Sequence, residues 1–212
     1  MPNGPLFPSH GEQLPFDGSA FLVPDFLPHE FADEALKELI SSTPWESTQL
    51  VMFGQQVSEP RSSVWVSDDV TYTYSRVTRQ PLPWTPLLLD IRERCQQHTK
   101  TTFNGVLINY YRNGLEHLGW HSDNELANGP EPVIASISLG AERRFDLRHN
   151  ETRTHISVDL PHGSLLVMSG ASQARWMHRV ARTTKVTNPR VNLTFRFVDK
   201  RFEPTLTSER AR

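Results

Sequence analysis

His121-Ser122-Asp123 sets an imidazole and a carboxylate two residues apart. In an extended segment both side chains project to one face. A later histidine would complete two imidazoles and one carboxylate, the donor set of non-haem iron oxygenases. His178, in Arg175-Trp176-Met177-His178-Arg179, is the candidate. Such a triad leaves one side of the metal open to a bidentate 2-oxo acid and dioxygen. By itself the pair carries little weight. In a chain with this many His and Asp, chance alone gives roughly 0.4 His-x-Asp pairs. Two look-alikes, His10-x-Glu12 and His149-x-Glu151, stand in the same chain.

The segment Arg190-Val-Asn192-Leu-Thr194-Phe-Arg196 supplies what the triad lacks. Polar and apolar residues alternate, so Arg190, Asn192, Thr194 and Arg196 share one face of a strand. Two guanidinium forks, an amide and a hydroxyl form a cradle for a dicarboxylate. Asn109 and Tyr111 share a face of their own strand and reach for the same acid. The competing reading is the wet face of an amphipathic strand.

The elements that must position these groups are legible in outline. Residues 1–18, rich in Pro and Gly, read as a flexible arm. Phe31, Ala35, Leu36, Leu39 and Ile40 form a helical stripe after Pro28. A second helix is expected from Thr85, with Pro86 in its first turn and Leu88, Ile91 and Cys95 on one face. Residues 43–84 mix Trp and Tyr with Arg61, Arg76 and Arg79 and suit several short strands. From residue 103 on, the runs 105–111, 133–139, 144–148, 155–160, 164–168 and 191–198 read as strands separated by turns. No helical stripe intervenes. The expected fold is mainly β within an α+β frame: an antiparallel double-sheet or jelly-roll core with the helices outside.

The chain of 212 residues carries a formal net charge of −2, so global charge does not announce a nucleic-acid partner. Locally the balance differs: residues 1–46 hold eight acids and one base, residues 171–201 eight bases and one acid. The basic end could meet phosphates. No run of apolar residues is long enough for a membrane span. The opening residues lack a secretory pattern. A single cysteine, Cys95, fits a reducing compartment. A cytoplasmic or nuclear monomer is expected.

These residues resemble an AlkB-type Fe(II)/2-oxoglutarate-dependent nucleic-acid dealkylase, closest to the branch that repairs double-stranded DNA. The resemblance is carried by Asn109-x-Tyr111, His121-Ser-Asp123-Asn-Glu125, Ile134-Ala-Ser-Ile-Ser-Leu-Gly140, Arg144-Phe-Asp-Leu-Arg148-His, His162-Gly-Ser-Leu-Leu-Val-Met168, Trp176-x-His178 and Arg190-x-Asn192-Leu-Thr194-Phe-Arg196. They run in order through residues 103–198. The resemblance implies a double-stranded β-helix core at 103–198 inside a single dioxygenase domain at 19–212. It gives residues 43–84 to a nucleotide-recognition lid. It assigns His121, Asp123 and His178 to iron, and Asn109, Tyr111, Arg190, Asn192, Thr194 and Arg196 to 2-oxoglutarate.

The resemblance also implies substrate contacts. Tyr72 and Tyr74 would flank a flipped base, and Glu125 would face the exocyclic amine of the alkylated base. Phe53, in Met52-Phe53-Gly54, would wedge into the duplex, and Arg61 would touch DNA. Where Tyr74 stands, the double-strand branch usually has Phe; the added hydroxyl alters the stacking surface. The implied reaction is repair of alkylated DNA bases of the 1-methyladenine or 3-methylcytosine type. It consumes Fe(II)-bound 2-oxoglutarate and O2 and releases aldehyde, succinate and carbon dioxide. RNA or a non-nucleic-acid substrate is the alternative.

Overall fold

The protein is described by a computed structural model covering residues 11–46, 49–52, 55–74 and 77–202, with backbone alone at 49–52, 55–58, 74, 77 and 202. Two antiparallel sheets face each other. The larger comprises β1 (Gly11–Glu12), β2 (Ser19–Val23), β5 (Ser62–Ser67), β8 (Gly105–Tyr111), β10 (Ile134–Gly140), β13 (Ser164–Ser169) and β15 (Arg190–Arg196). Their order is β1-β2-β13-β10-β15-β8-β5. The smaller comprises β9 (Leu118–His121), β11 (Arg143–His149), β12 (His155–Leu160) and β14 (Trp176–Val180), ordered β12-β11-β14-β9. Two ribbons, β3 (Gln49–Met52) with β4 (Gln55–Ser58) and β6 (Tyr72–Tyr74) with β7 (Val77–Arg79), stand apart from them.

Every residue of β15 is buried. Its odd positions, Val191, Leu193 and Phe195, join the core beneath α1 (His29–Ser42) and α2 (Pro86–Thr99). Its even positions face the space between the sheets. The expected polar face is therefore neither wet nor wasted: it lines a cavity. The helices sit where their stripes predict. Thr85 caps α2, its hydroxyl accepting from Leu88 N–H at 3.3 Å, with Pro86 in the first turn. Ala32, Ala35 and Leu39 turn inward from α1. A second core, including Phe145, Leu147, Leu160, Met168 and Trp176, fills the gap between the sheets beside the cavity.

Residues 11–18 depart from the expected flexible arm. They form a hairpin with β2, in which the Glu12 carboxylate accepts from the N–H groups of Gln13, Leu14 and Ala20. Leu14 joins the inter-sheet core. Gly and Pro at these positions shape turns rather than disorder: Gly11 and Gly18 both have positive φ. Strands β9 and β14, which carry the candidate metal ligands, were not among the runs expected from the sequence. Each is short and broken by Gly119 or by Met-His.

Candidate metal and co-substrate site

His121 ends β9 and His178 lies at the centre of β14, and the two are direct cross-strand partners. Their rings meet edge-on, with centroids 4.3 Å apart. Phe145 stacks on His178 at 5.1 Å and fixes its plane. Asp123 follows β9 and turns Oδ2 toward His178 Nε2, 3.9 Å away. The ligand atoms of His121, Asp123 and His178 lie within 4.8 Å of one another. The 55-position separation of Asp123 and His178 is thus spanned by strand pairing.

The protonation states suit a cation. Burial, with His121 beside it, pushes His178 down to about 3. Burial also lowers His121. Both imidazoles are therefore neutral at physiological pH and offer lone pairs. His121 Nδ1 lies 2.9 Å from the Gly119 carbonyl. A carbonyl only accepts, so Nδ1 carries the proton and Nε2 presents its lone pair. Burial pushes the Asp123 carboxyl up, but Arg196 and the two imidazoles outweigh it and hold it below its ordinary range. Asp123 N–H donates to Gln173 Oε1 at 2.8 Å, which fixes the peptide that carries the carboxylate.

Across the cavity, β8, β10 and β15 present the polar face. Asn192 pairs Asn109 on one side and Ser138 on the other, while Arg190 pairs Tyr111 and Gly140. Arg190 is fully buried. Its Nη2 donates to Ser138 Oγ at 2.9 Å, whereas Nε and Nη1 have no hydrogen-bond partner among the described residues. Burial pushes this guanidinium down to about 10. A buried guanidinium with two unused donors is a receptor for an anion. Asn192 is oriented by Ser136 Oγ and the Ile137 carbonyl through Nδ2, and by Thr194 Oγ1 through Oδ1. One cavity is lined by His121, Asp123 and His178 on one side and by Asn109, Arg190 and Asn192 on the other.

Residues 19–196 match the 2OG-Fe(II) oxygenase superfamily. The chain belongs to this superfamily. It is 40% identical over 187 residues to alpha-ketoglutarate-dependent dioxygenase alkB homolog 3 of Mus musculus, a match covering 84% of this chain and 65% of that protein. DNA oxidative demethylase ALKBH2 of Homo sapiens is also 40% identical, over 177 residues, covering 78% of this chain and 68% of that protein. The chain thus spans just under two thirds of the length of the mouse relative. Among solved structures, "The structure of OsALKBH1" superposes with a TM-score of 0.59 at 18% identity, covering 87% of this chain and 99% of that one. That likeness is one of fold.

The superfamily's Fe(II) and 2-oxoglutarate fit the residues present. Two neutral imidazoles and an ionised carboxylate converge on one point, and the unused donors of Arg190 stand across the same cavity. Arg196, on the polar face, takes a different posture from Arg190. Its Nη1 lies 3.4 Å from Asp123 Oδ1 and donates to the Tyr72 hydroxyl.

The expected substrate residues are differently placed. Tyr72 is buried, its ring stacked on Trp65 at 4.6 Å. Arg61 is 4% exposed and lines the cavity, its Nε donating to Asn109 Oδ1 at 2.8 Å. Burial raises the Glu125 carboxyl while Arg196 opposes the rise. Phe53 and the side chain of Tyr74 lie outside the described residues.

A second His-Asp-His cluster joins His29, Asp33 and His162. Its chemistry differs. His162 Nδ1 accepts from Gly140 N–H at 2.7 Å, so Nε2 carries the proton and faces Asp33 as a donor rather than as a metal ligand. The look-alike His149 is likewise spent: its Nδ1 accepts from Thr152 N–H, and Glu151 pairs with Arg175.

Several residues escaped sequence reasoning. Ser136 and Ser138 alternate along β10, and only their hydrogen bonds across to β15 show that they orient Asn192 and Arg190. Arg143 gathers the carbonyls of Asn113, Gly114, Glu116 and Ala181, tying the β8–β9 connection to the end of β14. No local signal marks it among 22 Lys and Arg.

Proposed function

We propose that the chain is an Fe(II)- and 2-oxoglutarate-dependent oxidative dealkylase acting on N-alkylated bases in DNA. The observation that carries this reading is the pairing, within one cavity, of a ligand triad with a buried arginine that has two unused donors. Similarity to a protein named DNA oxidative demethylase ALKBH2 supplies the substrate class.

In this reading His121, Asp123 and His178 hold the iron. Arg190 grips the distal carboxylate of 2-oxoglutarate through Nε and Nη1. Asn192 and Thr194 line its path, and Tyr111 lies below the Arg190 guanidinium, 5.4 Å from it. Asn109, its Oδ1 taken by Arg61, turns its amide N–H groups to the co-substrate. When bound, iron and 2-oxoglutarate supply the oxidation of an N-alkyl carbon by O2, which ends in aldehyde, succinate, carbon dioxide and the restored base. The inter-sheet walls Leu107, Phe145 and Leu160 keep bulk water from that oxidation.

A base inside a duplex must be flipped to reach the cavity, and alkylation at its pairing edge lowers that cost. Phe53 and Tyr74 are the lid residues for that step, while the buried Tyr72, stacked on Trp65, acts by holding Arg196 through its hydroxyl. Glu125 meets the exocyclic amine and the positive charge of 1-methyladenine or 3-methylcytosine, and that charge favours its ionised form.

The test is a panel of methylated single-stranded DNA, duplex DNA, RNA and a methylated peptide, each scored for aldehyde with 2-oxoglutarate present and omitted. Release from DNA only when 2-oxoglutarate is present supports the proposal. Release from RNA or peptide alone moves the substrate assignment and leaves the iron site in place.

A further inference from the structure

Asn128 closes the short helical turn Leu126–Asn128 that follows the loop of the metal carboxylate. Its side chain is buried and folds back over that turn. Nδ2 donates to Glu125 Oε2 at 2.8 Å and to the Asp123 carbonyl at 3.2 Å. Both receivers are acceptors only. The reverse orientation of the amide would set Oδ1 against two oxygens, so these neighbours fix which end faces them. Oδ1 remains buried without a hydrogen-bond partner among the described residues. The amide is thus held by its donor end alone.

The Asp123 peptide is gripped on both sides, its N–H by Gln173 and its carbonyl by Asn128. The same Nδ2 anchors one oxygen of Glu125. The Tyr72 hydroxyl interacts with both Asn128 and Glu125.

We propose that Asn128 is a positioning residue for base recognition: it locks the Glu125 carboxylate to the peptide of the metal ligand Asp123, so that the carboxylate is already set to receive the exocyclic amine of a cationic N-alkylated base. The inference rests on the reading of Glu125 as the carboxylate that faces that base. An unanchored Glu side chain loses rotamer freedom when substrate arrives, which weakens binding. Here the ordering is complete before binding. Asn128 touches no reacting atom; it sets the distance between the recognised amine and the metal.

The experiment measures discrimination, the ratio of affinities of the full chain for single-stranded oligonucleotides with 1-methyladenine or adenine at one position, by fluorescence anisotropy. Glu125→Gln is expected to lower this ratio on the order of tenfold, the loss of one charge-assisted hydrogen bond. Asn128→Leu, close in size, is expected to lower it by a similar factor while affinity for the unmodified oligonucleotide stays the same. The double variant should lose no more than either single one, because both remove the same contact. If Asn128→Leu does not fold, Asn128→Asp serves: it keeps the size, sets an acceptor against Glu125, and should lose at least as much discrimination. Losses that add in the double variant, or Asn128 variants that keep the discrimination Glu125→Gln loses, overturn the inference alone. A silent Glu125→Gln overturns the reading of Glu125 and the inference with it.

Discussion

Arg196 Nη1 sits 3.4 Å from Oδ1 of Asp123, while Oδ2 of the same carboxylate faces His178 Nε2 at 3.9 Å. The metal carboxylate is therefore shared between a fixed guanidinium and the metal position. Replacing Arg196 with Met leaves the Asp123 charge buried without this counter-charge. Such a loss costs about 3 kcal/mol. Thermal melts of Arg196→Met should show the loss in metal-free protein and recover part of it when Fe(II) or Zn(II) is added. A melt unaltered by the substitution would sever the link between Arg196 and Asp123.

Arg190 has a different task. With Nε and Nη1 unused and Nη2 on Ser138, it fits a carboxylate bidentately. Lysine presents a point charge without the fork. Arg190→Lys should raise the KM for 2-oxoglutarate on the order of 100-fold, the loss of about 3 kcal/mol of charge-assisted bonding. Metal affinity, measured by calorimetry, should stay the same. An unchanged KM would place the co-substrate elsewhere.

The contrast between these two arginines marks what the sequence could and could not disclose. Alternation along Arg190–Arg196 assigns all four polar residues to one face, and they do share it. It cannot tell that one arginine keeps unused donors while the other is engaged by Asp123 and Tyr72. That depends on which strands lie beside β15, a matter of long-range register. The helices were legible because a capping threonine, a proline and an apolar stripe are local. Strands β9 and β14 were not, since their pairing with each other, and that of β14 with β11, stabilises them more than their composition does. Asn128, Gln173 and Arg143 act through backbone groups far from them in the chain or around a turn, and no spacing rule finds such contacts.

Burial pushes the Cys95 thiol up to about 12. In the unfolded chain a thiol ionises near roughly 8.5. The folded state thus holds its proton where the unfolded state has released it, so stability is intact below about pH 8.5 and falls as pH rises toward 12. Urea denaturation at pH 8 and pH 10 should show the fall, and Cys95→Ala should flatten its slope while lowering stability at both. Thiol reagents should label Cys95 only on unfolding; fast labelling of native protein at pH 8 would contradict its burial.

Phe53 lies outside the described residues, and its expected role as a wedge comes from Met52-Phe53-Gly54. Phe53→Ala should slow repair of methylated duplex more than of methylated single strands, since only the duplex must be opened. Equal losses on both would remove the wedge.

In the proposed reaction His121, Asp123 and His178 hold the iron at which 2-oxoglutarate oxidation is coupled to base dealkylation. The most direct measurement follows formaldehyde and succinate together during turnover of an N-methylated oligonucleotide, with wild-type and Asp123→Ala protein. Equal amounts of the two products from the wild type, and neither from Asp123→Ala or from metal-stripped protein, are predicted. Formaldehyde released without 2-oxoglutarate, or undiminished in Asp123→Ala, would contradict it.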